Sequence, residues 1–361
     1  MTQTVYNFNA GPAILPRPVL EQAAAAVKEL PGARLSLLEI SHRSPEYSAI
    51  HEDAQQRFAT LTGLAGTHKI LLLQGGASLQ FSMVPQNLMP AGGKADYVIT
   101  GAWSKKAAAE AKHHGTVNVA ASTEEGGFRR IPTGAEIGRD AEASYLHYTT
   151  NNTIFGTQWK QEPVSGDVPL VADASSDILS RPMDFANHGV IYAGAQKNLG
   201  PAGVTLVAVR EELLSRTPEE LSPMLSYSLQ AAKKSLYNTP PVFPIYVMAR
   251  VLEWIETEGG LAAIDQRNRL KATTLYDLMD ASDFYRGHAE KDSRSSMNVT
   301  FRLPSENLEK RFLEEAAEQG FMGLKGHRSV GGCRASIYNA FPLEGVQALA
   351  SFMTEFQRTA G

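Results

Sequence analysis

Between about residues 69 and 210 the chain alternates short apolar runs with turn signals and helical stretches, and this alternation narrows the fold more than any other feature. The runs are KILLLQG (69–75), ADYVITG (95–101), TVNVAAS (116–122), SYLHYTT (144–150), PLVADAS (169–175), VIYAGAQK (190–197) and GVTLVAVR (203–210). They are rich in β-branched and aromatic residues and apolar on both faces, which suits strands of a sheet covered on both sides. Helical segments such as 104–114 lie between several of them. Strand and helix in alternation predict an α/β fold: a large domain with a mainly parallel, seven-stranded sheet covered by helices.

The pattern stops at the Pro-rich stretch NTPPVFP (238–244). A long amphipathic segment follows from 245 to 279, broken near Gly259-Gly260. Then come a strand SMNVTFRL (296–303), a helix NLEKRFLEEAAEQG (307–320), a strand RASIYNA (334–340) and a last helix from Pro342. This tail predicts a smaller α+β domain. The expected division is 16–264 for the large domain, with 1–15 and 265–361 forming the small one.

A formal net charge of -4 argues against a nucleic-acid partner held by bulk electrostatics. Cys333 is the only cysteine, which excludes an intramolecular disulfide and a Cys-rich metal site, and no metal is expected. The start MTQTVYNFNAGP has no basic, apolar leader, and no run approaches the roughly 20 apolar residues of a membrane span. A cytoplasmic globular protein is expected.

The chemistry is concentrated at strand ends. Lys197, in AGAQKNLGPAG, sits between an apolar strand and a Gly/Pro-rich turn. Most lysines are solvated surface groups, but small residues on both sides of this one let backbone or ligand come close. Desolvation there lowers an amine pKa from about 10.4 and frees it to form an imine with an aldehyde. Asp173, 24 positions earlier at the end of another strand, is either a helix cap or the acid that keeps a pyridine nitrogen protonated. LLLQGGASLQ (71–80) reads as strand, two glycines and helix, an anion site by its backbone amides or an ordinary turn. Neither G-x-G-x-x-G nor a P-loop is present there. Trp103 is a core residue or a stacking platform for a flat ring, and Thr153, in the polar HYTTNNTIFG, is a turn residue or a partner for a phenolic oxygen. His42 and Arg43 fall in one turn, and His327, Arg328 and Arg334 fall close together. Such groups are either scattered surface charge or a receptor for a small dianion.

Taken together, NFNAGPAILP, SHRS, GGASLQF, ADYVITGAWS, VADASSDILSRP, IYAGAQKNLGPAG, YNTPPVFPIY and GHRSVGGCRASIYNAFPLEGV resemble the phosphoserine aminotransferases, of the class V aminotransferase group and the fold-type I pyridoxal-phosphate enzymes. The resemblance runs over essentially the whole chain. It implies pyridoxal 5'-phosphate on Lys197, which also shuttles the substrate proton, with Asp173 on the ring nitrogen, Trp103 stacked on the ring and Thr153 at its phenolic side. Gly76, Ala77, Ser78 and Gln196 would hold the cofactor phosphate. Asn238 and Thr239 would reach a neighbouring subunit's cofactor, so a homodimer with shared sites is implied. Arg334 would take the substrate α-carboxylate, and His42, Arg43, His327 and Arg328 the substrate phosphate, partly across the interface. GGAS stands where some relatives carry an arginine, so side-chain charge in the phosphate loop is not implied.

The implied reaction exchanges an amino group between O-phospho-L-serine and 2-oxoglutarate in serine biosynthesis. A related step on phosphorylated hydroxythreonine in vitamin B6 synthesis is left open. An alanine–glyoxylate type of transaminase would have no use for the His/Arg cluster, and a desulfurase would have to use Cys333, beside Arg334 and just before a strand. A non-catalytic α/β ligand-binding protein is the rival from another class.

Overall fold

The computed structural model describes residues 4–360, so positions 1–3 and 361 of the expected small domain lie outside the described residues. All seven apolar runs are strands of one sheet: β1 His68–Leu73, β2 Lys94–Ile99, β3 Thr116–Ser122, β4 Leu146–Thr149, β5 Leu170–Asp173, β6 His188–Gly194 and β7 Thr205–Arg210. Their order across the sheet is β1-β7-β6-β5-β4-β2-β3. Only β7 runs antiparallel to its neighbours.

Alternate residues of each strand feed two cores, as a pleat of period two requires. Leu72, Ile191 and Leu206 pack with α1 (Arg17–Lys28), α2 (Pro45–Thr62) and α6 (Val242–Thr257) on one face. Leu71, Val190 and Val207 pack with α3 (Gly76–Leu88) and α4 (Ala102–Ala111) on the other. A short helix, α5 (Tyr227–Ala232), closes one side of the second core.

A third core is formed mainly by the C-terminal part. It contains α7 (Gly260–Asp280), α8 (Glu306–Glu318), α9 (Leu343–Ala360) and an antiparallel sheet of β8 (Arg286–Gly287), β9 (Asn298–Arg302) and β10 (Cys333–Ser336). The N-terminal strand Tyr6–Asn7 pairs with Phe321–Met322, and Phe8 packs 4.3 Å from Phe341 between ring centroids. The expected division at 264/265 falls inside α7. Ile264 belongs to the large core while Ala272, Leu275 and Met279 belong to the small one.

The last expected strand ends early. RASIYNA was expected to extend to 340, but β10 stops at Ser336. Lys271, fully buried on α7, takes the carbonyls that a longer strand would use: its amine donates to the oxygens of Ile337 (3.0 Å), Tyr338 (2.6 Å) and Phe341 (3.1 Å). Burial pulls the Lys271 pKa down to about 7, yet three acceptors match the three N–H bonds of an ammonium, and the charged form suits this geometry. Lys271→Met keeps the volume and orphans three carbonyls. A loss of about 3 kcal/mol or more in unfolding free energy is expected in a urea titration. Parent-like stability would show that the clamp contributes nothing.

Candidate active site

The functional side chains gather at the carboxyl ends of the parallel strands, where such sheets leave a crevice. β6 is buried throughout and ends at Gly194, where a Cβ would come within 2.7 Å of Gln196 Oε1. The following turn is closed by Leu199 N–H (3.2 Å) and Gly200 N–H (2.9 Å) donating to the Ala195 carbonyl, and it turns Lys197 back over the sheet end. The N-terminal segment covers the lysine. Ala13 N–H donates to the Gln196 carbonyl (2.9 Å), and a Cβ on Gly11 would lie 3.3 Å from Lys197 Cγ.

Lys197 Nζ donates to Thr153 Oγ1 at 2.8 Å. The side chain is half-buried, open only toward a cavity that it lines. Burial lowers its pKa from the ordinary 10.5 to about 8; the negative charge of Asp173 pulls the other way, and Arg334 adds to the lowering. Asp173 ends β5, is 4% exposed and accepts from Ser175 N–H at 3.0 Å. Burial raises its pKa, while Ser175 and then Lys197 favour the carboxylate.

Amine and carboxylate line one cavity of about 480 Å³. Gly76, Ala77, Ser78, Trp103, Thr153, Gln196, His327 and Arg334 line it as well. Gly75 and Gly76 have φ of 90° and 66°, a left-handed entry into α3 that L side chains resist. The first N–H groups of α3 have no intrahelical partners and make an anion seat facing the cavity. Three buried polar atoms on the lining residues, Trp103 Nε1, Thr149 Oγ1 and Arg334 Nε, have no hydrogen-bond partner. An amine, a carboxylate, a flat indole, an anion seat and three unmet polar atoms fit a phosphorylated pyridine aldehyde.

His327 and Arg334 come from the small body. Arg334 Nη1 donates to the Thr153 carbonyl at 3.3 Å. His327 pairs through Nδ1 with Ser329 Oγ at 2.7 Å. Burial lowers the His327 pKa, and the charges of Arg334, Arg328 and Lys106 lower it further. The cavity mouth therefore carries a positive field.

Five expected residues do not line this cavity within one chain. His42 and Arg43 lie in the turn before α2, where Arg43 N–H donates to Ser41 Oγ at 3.2 Å. Asn238 lines a separate small cavity with Gln74 and Pro240, and the Thr239 carbonyl accepts from Gln74 Nε2 at 3.3 Å. Arg328 is exposed on its loop. Conversely, Ala10, Gly11, Asn151, Ser175 and Ser176 line the cavity without having been assigned. Lys106, whose amine lies 5.1 Å from the Trp103 ring centroid, was also missed; the signal was its place three residues after Trp103 on one helix face.

The family described as Aminotransferase class-V matches residues 5–349. A phosphoserine aminotransferase of Desulfosudis oleivorans is 56% identical over 363 positions, covering 100% of both chains. The solved phosphoserine aminotransferase of Bacillus circulans subsp. alkalophilus superposes with a TM-score of 0.97 at 52% identity, covering 99% of both chains. The PLP-bound enzyme of Trichomonas vaginalis superposes at 0.92 with 36% identity, over 97% of this chain and 100% of that one.

The lowered amine pKa has a sign that can be checked. A folded value below the unfolded one penalises the charged form in the fold. That penalty is full below pH 8 and is relieved as pH rises toward about 10.4, so stability from this group increases across that window. In cofactor-free protein, competitive acylation read by peptide mass spectrometry is expected to give Lys197 a reactivity midpoint near pH 8. A midpoint above about 10, as for a solvated lysine, would contradict the desolvation.

Proposed function

The chain belongs to the class-V aminotransferases, and from that premise we propose how its residues divide the work of moving an amino group. The protein is a pyridoxal-phosphate-dependent phosphoserine transaminase that interconverts O-phospho-L-serine and 2-oxoglutarate with 3-phosphooxypyruvate and L-glutamate, a step of serine biosynthesis. The cofactor supplies an aldehyde that condenses with amines and a protonated ring that accepts electron density from the substrate α-carbon.

Lys197 Nζ, desolvated and partly neutral near pH 8, is the amine that carries the cofactor. When not bonded to the cofactor, the same Nζ would be placed to take the substrate α-proton and return it. Asp173 holds the ring-nitrogen proton. Its carboxylate keeps the charged form through Ser175 N–H and the attraction of Lys197, against the cost of burial. Trp103 would offer its indole to the ring, and Thr153 Oγ1, which receives the Lys197 amine at 2.8 Å, would serve the phenolic side. The amides of Gly76, Ala77 and Ser78, with Gln196, seat the cofactor phosphate.

Arg334 takes the α-carboxylate of either substrate by its planar fork. His327, Arg328 and Lys106 form the field that receives the substrate phosphate, and the side-chain carboxylate of glutamate uses the same seat. His42, Arg43, Asn238 and Thr239 lie outside the cavity within one chain, so their roles require a second copy. A homodimer with composite sites is the assembly this reading needs. The cytoplasm suits it, since the one thiol, Cys333, is free and buried.

The observation that carries the phosphate assignment is the shared positive field at His327. Charge-assisted hydrogen bonds are worth roughly 1.5–3 kcal/mol each. Phosphoserine should therefore exceed alanine as amino donor by about 100-fold or more in kcat/KM, and a preference for alanine would reject the substrate. Arg334→Ala is expected to weaken both substrates, whereas His327→Ala and Arg328→Ala weaken the phosphorylated donor more. Equal losses for alanine and phosphoserine would contradict this division.

A further inference from the structure

The roles above leave the buried carboxylate of Asp177 unused. Asp177 is fully buried, four residues after Asp173 in the turn that leaves β5. One of its oxygens accepts from the Thr150 hydroxyl and the other from Gln158 Nε2 at 3.0 Å. The Gln158 amide is oriented independently, because its Oε1 accepts from Ser296 N–H at 3.0 Å. Thr150 is in turn held at both backbone groups: its N–H donates to the Asp173 carbonyl (3.0 Å), and its carbonyl accepts from Trp159 N–H (2.9 Å). The segment so fixed, 150–153, ends at the hydroxyl that receives the Lys197 amine.

We infer that Asp177 is a positioning residue for Lys197, holding the Thr150–Thr153 segment in place and adding a second negative charge to the field around the amine. No cation lies within ion-pair distance of Asp177 among the described residues. The charged and titratable groups facing it are Arg181 in its own segment, Lys197, Lys160, Asp173, and the phenols of Tyr148 and Tyr338. Arg181 is committed elsewhere, donating to the carbonyls of Trp159 (2.9 Å) and Pro182 (3.4 Å). Burial raises the Asp177 pKa, while Arg181, Gln158, Thr150 and Lys197 support the carboxylate. Uncompensated burial of a charge is costly. Asparagine fills the same space: its Oδ1 can accept from Gln158 Nε2 and its Nδ2 can donate to Thr150 Oγ1, whose proton then goes to the Asp173 carbonyl at 3.2 Å. The charge is what aspartate adds.

Two substitutions in the holoenzyme separate the two parts of the role, which rests on Lys197 carrying the cofactor. Asp177→Asn removes the charge and keeps the bonds. The midpoint of the bound cofactor's absorbance change with pH is expected to move toward acid by about half a unit or more, because the protonated Lys197 nitrogen loses a stabilising neighbour. Thr150→Val keeps the charge and the backbone bonds but removes the hydroxyl that ties the segment to Asp177. It is expected to leave the midpoint in place and lower kcat several-fold, with KM for phosphoserine within about twofold. Parent midpoint in folded Asp177→Asn, or parent kcat in Thr150→Val, would overturn the inference. So would losses confined to thermal stability. If Asp177→Asn does not fold, Thr150→Val decides by its kcat. A parent protein whose absorbance band survives Lys197→Ala would instead defeat the cofactor assignment, leaving a distinct signature.

Discussion

The constraint on which the rest of the structure depends is that an amine must be taken out of water without losing its counter-charge. Lys197 meets it at the end of β6, with Thr153 Oγ1 at 2.8 Å and Asp173 close enough to oppose the lowering of its pKa. An isolated lysine in such a place would be too costly. The parallel sheet solves this by ending neighbouring strands at one level. Thr149 and Asp173 are register partners on β4 and β5, and Asp173 pairs with Tyr192 on β6, five residues before Lys197. Acid, hydroxyl and amine therefore arrive at one edge as a consequence of topology.

The turn after Asp173 then ties that edge to everything around it. Ser175 Oγ accepts from Gly194 N–H (3.2 Å), and the Ser176 hydroxyl donates to the Asn151 carbonyl (2.7 Å) and accepts from Asn151 Nδ2 (2.8 Å). The carbonyl of Ile178 accepts from Asn198 (3.2 Å), that of Leu179 from Asn339 (3.0 Å) and that of Ser180 from Asn268 (2.9 Å). Asn151 and Asn298 are bonded at 2.8 Å, and Asn298 reaches Ser336 at 3.0 Å, next to Arg334 and the small sheet. One buried polar network thus joins the cofactor-facing edge to the element that carries Arg334. Such buried networks rigidify the elements they join and specify a single arrangement of them.

Much of this was legible in the sequence because the signals were local. The seven strands are short runs dominated by apolar residues between turn signals, so pattern located them. Lys197 and Asp173 stood out by small-residue flanks and by position at strand ends. What was not legible depended on distant parts of the chain. Gly11 matters because the N-terminal segment folds against Lys197, and Lys106 because His327 is brought near it from the small body. The early end of β10 follows from a lysine 66 to 70 positions away taking its carbonyls. The division expected at residue 264 falls within a helix that serves both cores. Asn238 and Thr239 came from family resemblance, His42 and Arg43 also from their charge in one turn, and the cavity of one chain does not contain any of the four.

The most direct measurement is a crystal structure of the protein after borohydride reduction with the cofactor bound. The account predicts continuous density from Lys197 Nζ to the cofactor ring, with the ring nitrogen within hydrogen-bond distance of the Asp173 carboxylate and the ring lying against Trp103. A link at another lysine, or a ring whose nitrogen points away from Asp173, would contradict it.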